Sequence, residues 1–198
     1  MVRMRDGKQE IWWTLRAQAG DREAFEALLT SAQEPLYRYV FRLVGERTLA
    51  EDILQEVFII IYRKLRWLQE PSLFRPWAYR IASREAFKRL KRERRWGEQV
   101  RDEAILEAIP SPAPEENFAP ELLEHLPLLI ARVSPASRAV LVLHYLDELP
   151  LSEVAEALGI ALGTAKSRLA YGLQSLRRAI SEQSETGTFN ERQNTQTR

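Results

Sequence analysis

Apolar residues along the chain recur at intervals of three and four rather than two, so the pattern predicts helices and no strand of useful length. After Asp21, a good helix N-cap, Phe25, Leu28 and Leu29 form one stripe. After Pro35 a second stripe of Leu36, Val40, Leu43 and Val44 ends at Gly45, a natural helix stop. Thr48-Leu49-Ala50-Glu51 reads as a capping box, with hydroxyl and carboxylate serving each other's backbone donors, and opens a helix running to about Leu68 before Pro71. A fourth helix is expected from near Pro76, where a missing amide proton costs nothing, to about Arg95.

The pattern then changes. Pro110, Pro112, Pro114 and Pro120 fall among acidic residues with few large apolar groups, the composition of a semi-extended linker. Beyond it, Ser134-Pro135 opens a helix carrying Val140, Leu141, Leu143 and His144 towards Asp147. Leu151 to Leu158 is a short amphipathic helix stopped by Gly159, and Thr164 is expected to cap a last helix through about Ile180. The fold class is therefore all-α: two small helical domains joined by an acidic, Pro-rich linker, the second containing a helix-turn-helix. The expected organisation is a partly helical segment over 1–20, a first domain over 21–96, the linker over 97–119, a second domain over 120–181 and a disordered polar tail over 182–198.

Composition narrows the chemistry. The chain has 198 residues, no cysteine and two histidines, His125 and His144, so thiolate chemistry is excluded and a metal site is not expected. No nucleophile with its base, no phosphate-cradling glycine loop and no paired carboxylates in a pocket are recognisable, so neither an enzyme nor a cofactor nor a small-molecule substrate is expected. Met1 to Gly20 has no continuous apolar run; a cytoplasmic protein without membrane insertion is expected. The net charge of +1 hides segregation: nine basic residues face two acidic ones from Arg75 to Arg95, whereas eight acidic residues face Arg101 alone from Gly97 to Glu124.

Three surfaces stand out. In the last helix, Ala165, Leu169, Gly172, Leu173 and Leu176 share one arc, while Lys166, Ser167, Ala170, Tyr171, Gln174 and Arg178 lie opposite, with Arg168 on the flank. The second arc suits base edges, a thymine methyl near Ala170 and a phosphate near Arg168; a solvated basic helix in a bundle has the same pattern. On the Thr48 helix, Asp52, Gln55, Glu56, Ile59 and Arg63 share the side opposite the apolar arc. That is either a protein interface with an apolar anchor and an acidic rim, or a solvated face with one stray isoleucine. In the basic helix, Arg80, Arg84, Lys88, Lys91 and Arg92 are candidates for nucleic-acid backbone contacts, with Trp77 read as core.

Together these segments carry a resemblance. Ala50-Glu51-Asp52-Ile53-Leu54-Gln55-Glu56-Val57-Phe58, Trp77-Ala78-Tyr79-Arg80-Ile81-Ala82, Leu151-Ser152-Glu153-Val154-Ala155-Glu156-Ala157-Leu158-Gly159 and Gly163-Thr164-Ala165-Lys166-Ser167-Arg168-Leu169 look like bacterial sigma factors of the extracytoplasmic-function type, over about residues 9–181. The resemblance implies a non-enzymatic factor that binds core RNA polymerase and directs promoter recognition. It implies that Asp52, Gln55 and Glu56, with Ile59 beside them, meet the clamp helices of the beta-prime subunit. It further implies that the basic helix and the loop from about Arg66 to Arg75 engage the minus-ten element, and that Thr164, Lys166, Ser167, Arg168, Ala170 and Tyr171 face the minus-thirty-five duplex. An anti-sigma factor is an implied partner. A sigma-like regulator that binds an anti-sigma factor or DNA without engaging polymerase is the alternative. Arg84 and Lys88 stand where the family often has Asn and Asp, which implies a different minus-ten preference.

Overall fold

The computed structural model describes the backbone of residues 3–94 and 129–194, with side chains over 7–92 and 129–179. Among the described residues there are seven α-helices and no strand. Four precede the linker: α1 (Arg3–Gln18), α2 (Arg22–Val44), α3 (Arg47–Lys64) and α4 (Phe74–Arg94). Three follow it: α5 (Pro135–Leu141), α6 (Leu151–Leu158) and α7 (Leu162–Asn194). The linker expected over 97–119 lies outside the described residues.

The ends of α2 are set as the sequence indicates. Asp21 accepts the Ala24 amide at 3.0 Å, and that hydrogen bond holds its carboxyl below the usual range. Gly45 closes the helix at φ 76, a left-handed conformation that glycine adopts without a side-chain clash. Between them, Pro35 does not divide the stripe into two helices; it sits inside one continuous α2. A proline there forfeits one backbone bond, but Ala32, Leu36, Tyr39 and Val40 on the adjoining turns are all buried, and that packing outweighs the break.

Helix α3 starts differently from the expected capping box. Glu46, not Thr48, is the N-cap: its two carboxylate oxygens accept the Thr48 and Leu49 amides, each at 2.7 Å. A carboxylate with two acceptors at the positive end of a helix displaces a single hydroxyl two residues later. Glu51 is thereby released to pair with Arg47 at 2.9 Å. A 3-10 turn over Leu65–Trp67 extends α3, a second over Pro71–Leu73 precedes α4, and Gln18 of α1 ties the connection down by donating to the Leu65 and Leu68 carbonyls.

In the second half, α5 passes into a wide π-type turn over Val142–Leu146, closed by the Asp147 amide on the Val142 carbonyl at 3.0 Å. Ser134 stands at the N-cap of α5, yet its hydroxyl makes no capping bond. Gly159 ends α6 at φ 66. Helix α7 begins at Leu162, so Thr164 lies in its first turn rather than at its cap. The backbone of α7 stays helical to Asn194, where a disordered tail from 182 was expected; extending an established helix carries none of the cost of nucleating one.

One apolar core runs through both halves, from Leu28, Tyr39 and Ile53 to Val154, Leu169 and Leu176. Helix α4 packs against α2 and α3 of its own half and against α6 of the other. The sequence left the mutual arrangement of the two domains open; here they are in direct contact.

Candidate protein and nucleic-acid interfaces

Burial sorts α3 into two sides. Ile53, Val57 and Ile61 are fully buried, and on the opposite side Asp52, Gln55, Glu56 and Ile59 are all exposed, the isoleucine to 44%. Among the described residues no cation pairs with Asp52 or Glu56. Beside this face runs a groove of about 830 Å³ between α2 and α3, lined by Leu29, Tyr37, Leu54, Gln55 and Phe58 among others. Sequence pattern alone missed the groove, because Leu29 and Phe58 read simply as core positions.

The cations of α4 do not form a uniform face. Arg84, Lys91 and Arg92 are exposed, and Lys88 is exposed but bonded to Glu85 at 3.1 Å. Arg80 is half-buried and points at the other domain: its Nε donates to the Glu156 carbonyl at 3.1 Å, and its Nη2 donates to the same oxygen. Trp77 packs as read, half-buried against the core and tilted on Phe74 at 6.2 Å between ring centres.

The α3–α4 connection adds aromatic groups that the residue pattern had not singled out. Arg66 stacks over the Trp67 ring at 4.1 Å, and Trp67 is 61% exposed. One turn earlier, Tyr62 is 71% exposed and meets Phe25 edge-on at 5.5 Å. Guanidinium and indole planes of this kind are surfaces on which unpaired bases stack.

On α7, Lys166 and Tyr171 are exposed, whereas Thr164, Ser167 and Arg168 are half-buried. The Ser167 hydroxyl is turned back to the Gly163 carbonyl at 3.0 Å. Ala170 corrects the expected DNA-facing arc: it is buried, with 9% of its surface exposed. A helical wheel assumes one packing partner, but α7 packs on both α5 and α6, so its buried arc widens past Leu173 to take in Ala170.

Electrostatics in the contact between the halves centre on Asp147. Its side chain is 7% exposed, and Arg42 lies 3.7 Å away. Burial raises its carboxyl above the ordinary value, while Arg42 and the Tyr79 hydroxyl pull it back. Burial likewise raises the Tyr39 and Tyr79 phenols beyond their usual range. Among the described residues no cluster of His, Cys, Asp and Glu fit to hold a metal is present, and no helix is long and apolar enough to cross a membrane.

Two packed helical domains, the second built around a short helix, a glycine turn and a longer basic helix, define a helix-turn-helix protein of two domains. Comparison with known proteins makes this specific. Sigma-70 region 2 matches residues 28–96, and sigma-70 region 4 matches residues 129–178. The sigma factor SigW of Bacillus subtilis is 28% identical over 81% of this chain and 91% of its own length. SigL of Mycobacterium tuberculosis is 30% identical over 84% of this chain and 94% of its own. Among solved structures, CnrH in complex with the cytosolic domain of CnrY superposes with a TM-score of 0.65 at 20% identity, covering 88% of this chain and 98% of that one. The sigma factor RpoE of Bartonella quintana, in complex with the anti-sigma factor NepR, gives 0.60 at 17% identity, covering 79% and 96%. The chain belongs to the sigma-70 family of bacterial RNA polymerase sigma factors, in its extracytoplasmic-function branch. It is a transcription initiation factor that binds polymerase and recognises promoters.

Proposed function

We propose that three separate surfaces divide this work. Asp52, Gln55, Glu56 and Ile59 dock on the clamp helices of the beta-prime subunit, the carboxylates meeting basic side chains around the isoleucine as anchor. Arg84, Lys88, Lys91 and Arg92, joined by Arg80, hold the phosphates of the minus-ten strand, and the Arg66–Trp67 stack receives bases of the melted strand. Lys166, Ser167, Arg168 and Tyr171, with Thr164 at the head of the helix, meet the minus-thirty-five duplex in its major groove. The protein acts in the cytoplasm without catalysing a reaction itself. An anti-sigma factor holds it in reserve, as NepR is bound to its structural relative.

The observation that carries this reading is the unpaired acidic face of α3 on a chain that also holds two distinct cationic surfaces. The test is run-off transcription with purified bacterial core polymerase on genomic fragments that include the region upstream of its own gene. Specific transcripts, with mapped start sites, support the assignment and yield both promoter elements. Duplex binding without core binding would favour a sigma-like regulator instead.

A further inference from the structure

Helix α1 lies ahead of the residues matched by sigma-70 region 2, and none of the three surfaces above includes it. Its inward side is committed to the fold. Glu10 and Thr14 are buried, with Glu10 held by Arg75 at 3.1 Å, and Trp13 and Ala17 pack on the core. Outward, Lys8, Trp12, Leu15, Arg16 and Ala19 are all exposed and share an arc of about 100°, with no acidic residue among them. Trp12 is 57% exposed; Arg16 lies over its ring at 5.9 Å, and Asp21 pairs with the same guanidinium and fixes it there. Leaving an indole this far in water forgoes most of what its burial would contribute. The arc borders the α3–α4 connection. Leu15 lies between Trp12 and Gln18 around the helix, and Gln18 donates to the Leu65 and Leu68 carbonyls, one on each side of the Arg66–Trp67 stack. A cavity of about 650 Å³ joins the two, lined by Ala17 and Gln18 of α1, by Phe25 of α2 and by Tyr62, Leu65 and Arg66. Two exposed indoles, each with an arginine against its ring, thus flank one joint between α1 and the connection.

We propose that the outward face of α1 is a further binding surface for an unpaired DNA strand, on which Trp12 stacks a base and Lys8 holds a phosphate of the strand that crosses the Arg66–Trp67 stack. The proposal rests on the functional reading above, because that reading puts a melted strand on Arg66 and Trp67. The face fits such a strand in charge and in shape. Every charged group on the arc is a cation, and the indole offers a π-face that any base can use. Lys8 stands one turn from Trp12, about 6 Å along the helix axis, so base and backbone of one strand meet the two side chains together. A lipid surface fits less well. It calls for a broad apolar arc with cations at the margins, whereas Trp12 and Leu15 are the only large apolar residues among the five.

The probe is a fluorescein-labelled single-stranded DNA of mixed sequence, about 20 nucleotides long, titrated by anisotropy with the full chain, free and bound to purified core polymerase. Wild type is compared with Trp12→Ala, Trp12→Phe, Lys8→Ala and Trp67→Ala. Trp12→Ala is expected to weaken binding by about fivefold or more, and Trp12→Phe to stay close to wild type, because a phenyl ring still offers a face. Lys8→Ala is expected to lower the salt slope by about 0.7. The melting temperature of Trp12→Ala should match wild type, since the side chain it removes stands in solvent. Wild-type affinity in Trp12→Ala, with weakened binding in Trp67→Ala, would overturn the proposal and leave the functional reading standing. Loss in Trp12→Ala with none in Trp67→Ala would support the α1 surface and overturn the Arg66–Trp67 assignment instead. A chain that binds no single strand in either setting overturns both. Trp12-dependent binding to phosphatidylglycerol vesicles, without Trp12-dependent binding of the strand, would give the face to a lipid surface and overturn the proposal as well.

Discussion

Leu141 lies so close over Gly172 that a Cβ added to the glycine would meet its Cδ1 at 2.8 Å and its Cγ at 3.1 Å. Ser137 closes the same gap from the next turn of α5, at 3.4 Å. The bare backbone at Gly172 is therefore what lets α5 and α7 approach, and Leu141 cannot give way because it is itself fully buried. Gly172→Val is expected to lower stability by about 2–3 kcal/mol, despite removing a glycine from a helix interior. Thermal unfolding checks this; an unchanged or raised melting temperature would mean that the helices separate at little cost.

The exposed face of α3 allows a test free of folding effects. Asp52 and Glu56 are exposed, so Asp52→Arg combined with Glu56→Arg should leave helix content and melting temperature nearly unchanged. Core-polymerase binding is expected to fall by two orders of magnitude or about that, since two charges of the wrong sign would face a basic partner. Pull-down or fluorescence anisotropy with purified core reads the loss. Wild-type affinity in the double variant would remove this face from the interface.

What the sequence made legible follows from how local each signal is. Gly45 and Gly159 mark their helix ends because the left-handed conformation needs a glycine in place, and Asp21 caps α2 through an amide three residues away. The buried side of α3 and most of that of α7 follow from periodicity for the same reason. The misreadings arise where a choice was not local. Glu46 outcompetes Thr48 by having two acceptors, a comparison of two neighbouring caps that motif spacing does not make. Ala170 is buried because α7 has two packing partners. Arg80 looked like any other cation of α4, and only the fold brings it to Glu156, a carbonyl 76 residues away.

The α7 surface separates contact residues from core. Lys166 is exposed, and Lys166→Ala should weaken duplex promoter binding across sequences while lowering the salt slope by about one unit, with folding intact. Ala170→Leu should instead cost stability, about 1–3 kcal/mol, since a larger side chain must enter a filled space. Binding titrations at several salt concentrations, paired with urea unfolding, distinguish them. An unchanged slope would take Lys166 off the DNA.

Stability is expected to respond to pH in a direction set by Asp147, in the contact between the two halves. Burial raises its carboxyl above the ordinary 3.8, so the folded chain holds this proton more firmly than the unfolded one. Well below 3.8 the group is neutral in the folded and the unfolded chain alike, and its contribution to stability is fully present. As pH rises from there through the raised folded value, the unfolded chain releases the proton first, and stability is lost. The helix-capping carboxylates Asp21 and Glu46 work the other way: hydrogen bonds hold them low, so their contribution is lost as pH falls. Because both caps are common to wild type and Asp147→Asn, the difference between the two proteins isolates Asp147. That difference should grow in favour of the asparagine variant as pH is stepped upward from 3.8, read as the urea midpoint. Parallel pH profiles for the two proteins would show that Asp147 titrates alike in the folded and unfolded chains, and that Arg42 and Tyr79 fully offset the burial of its charge.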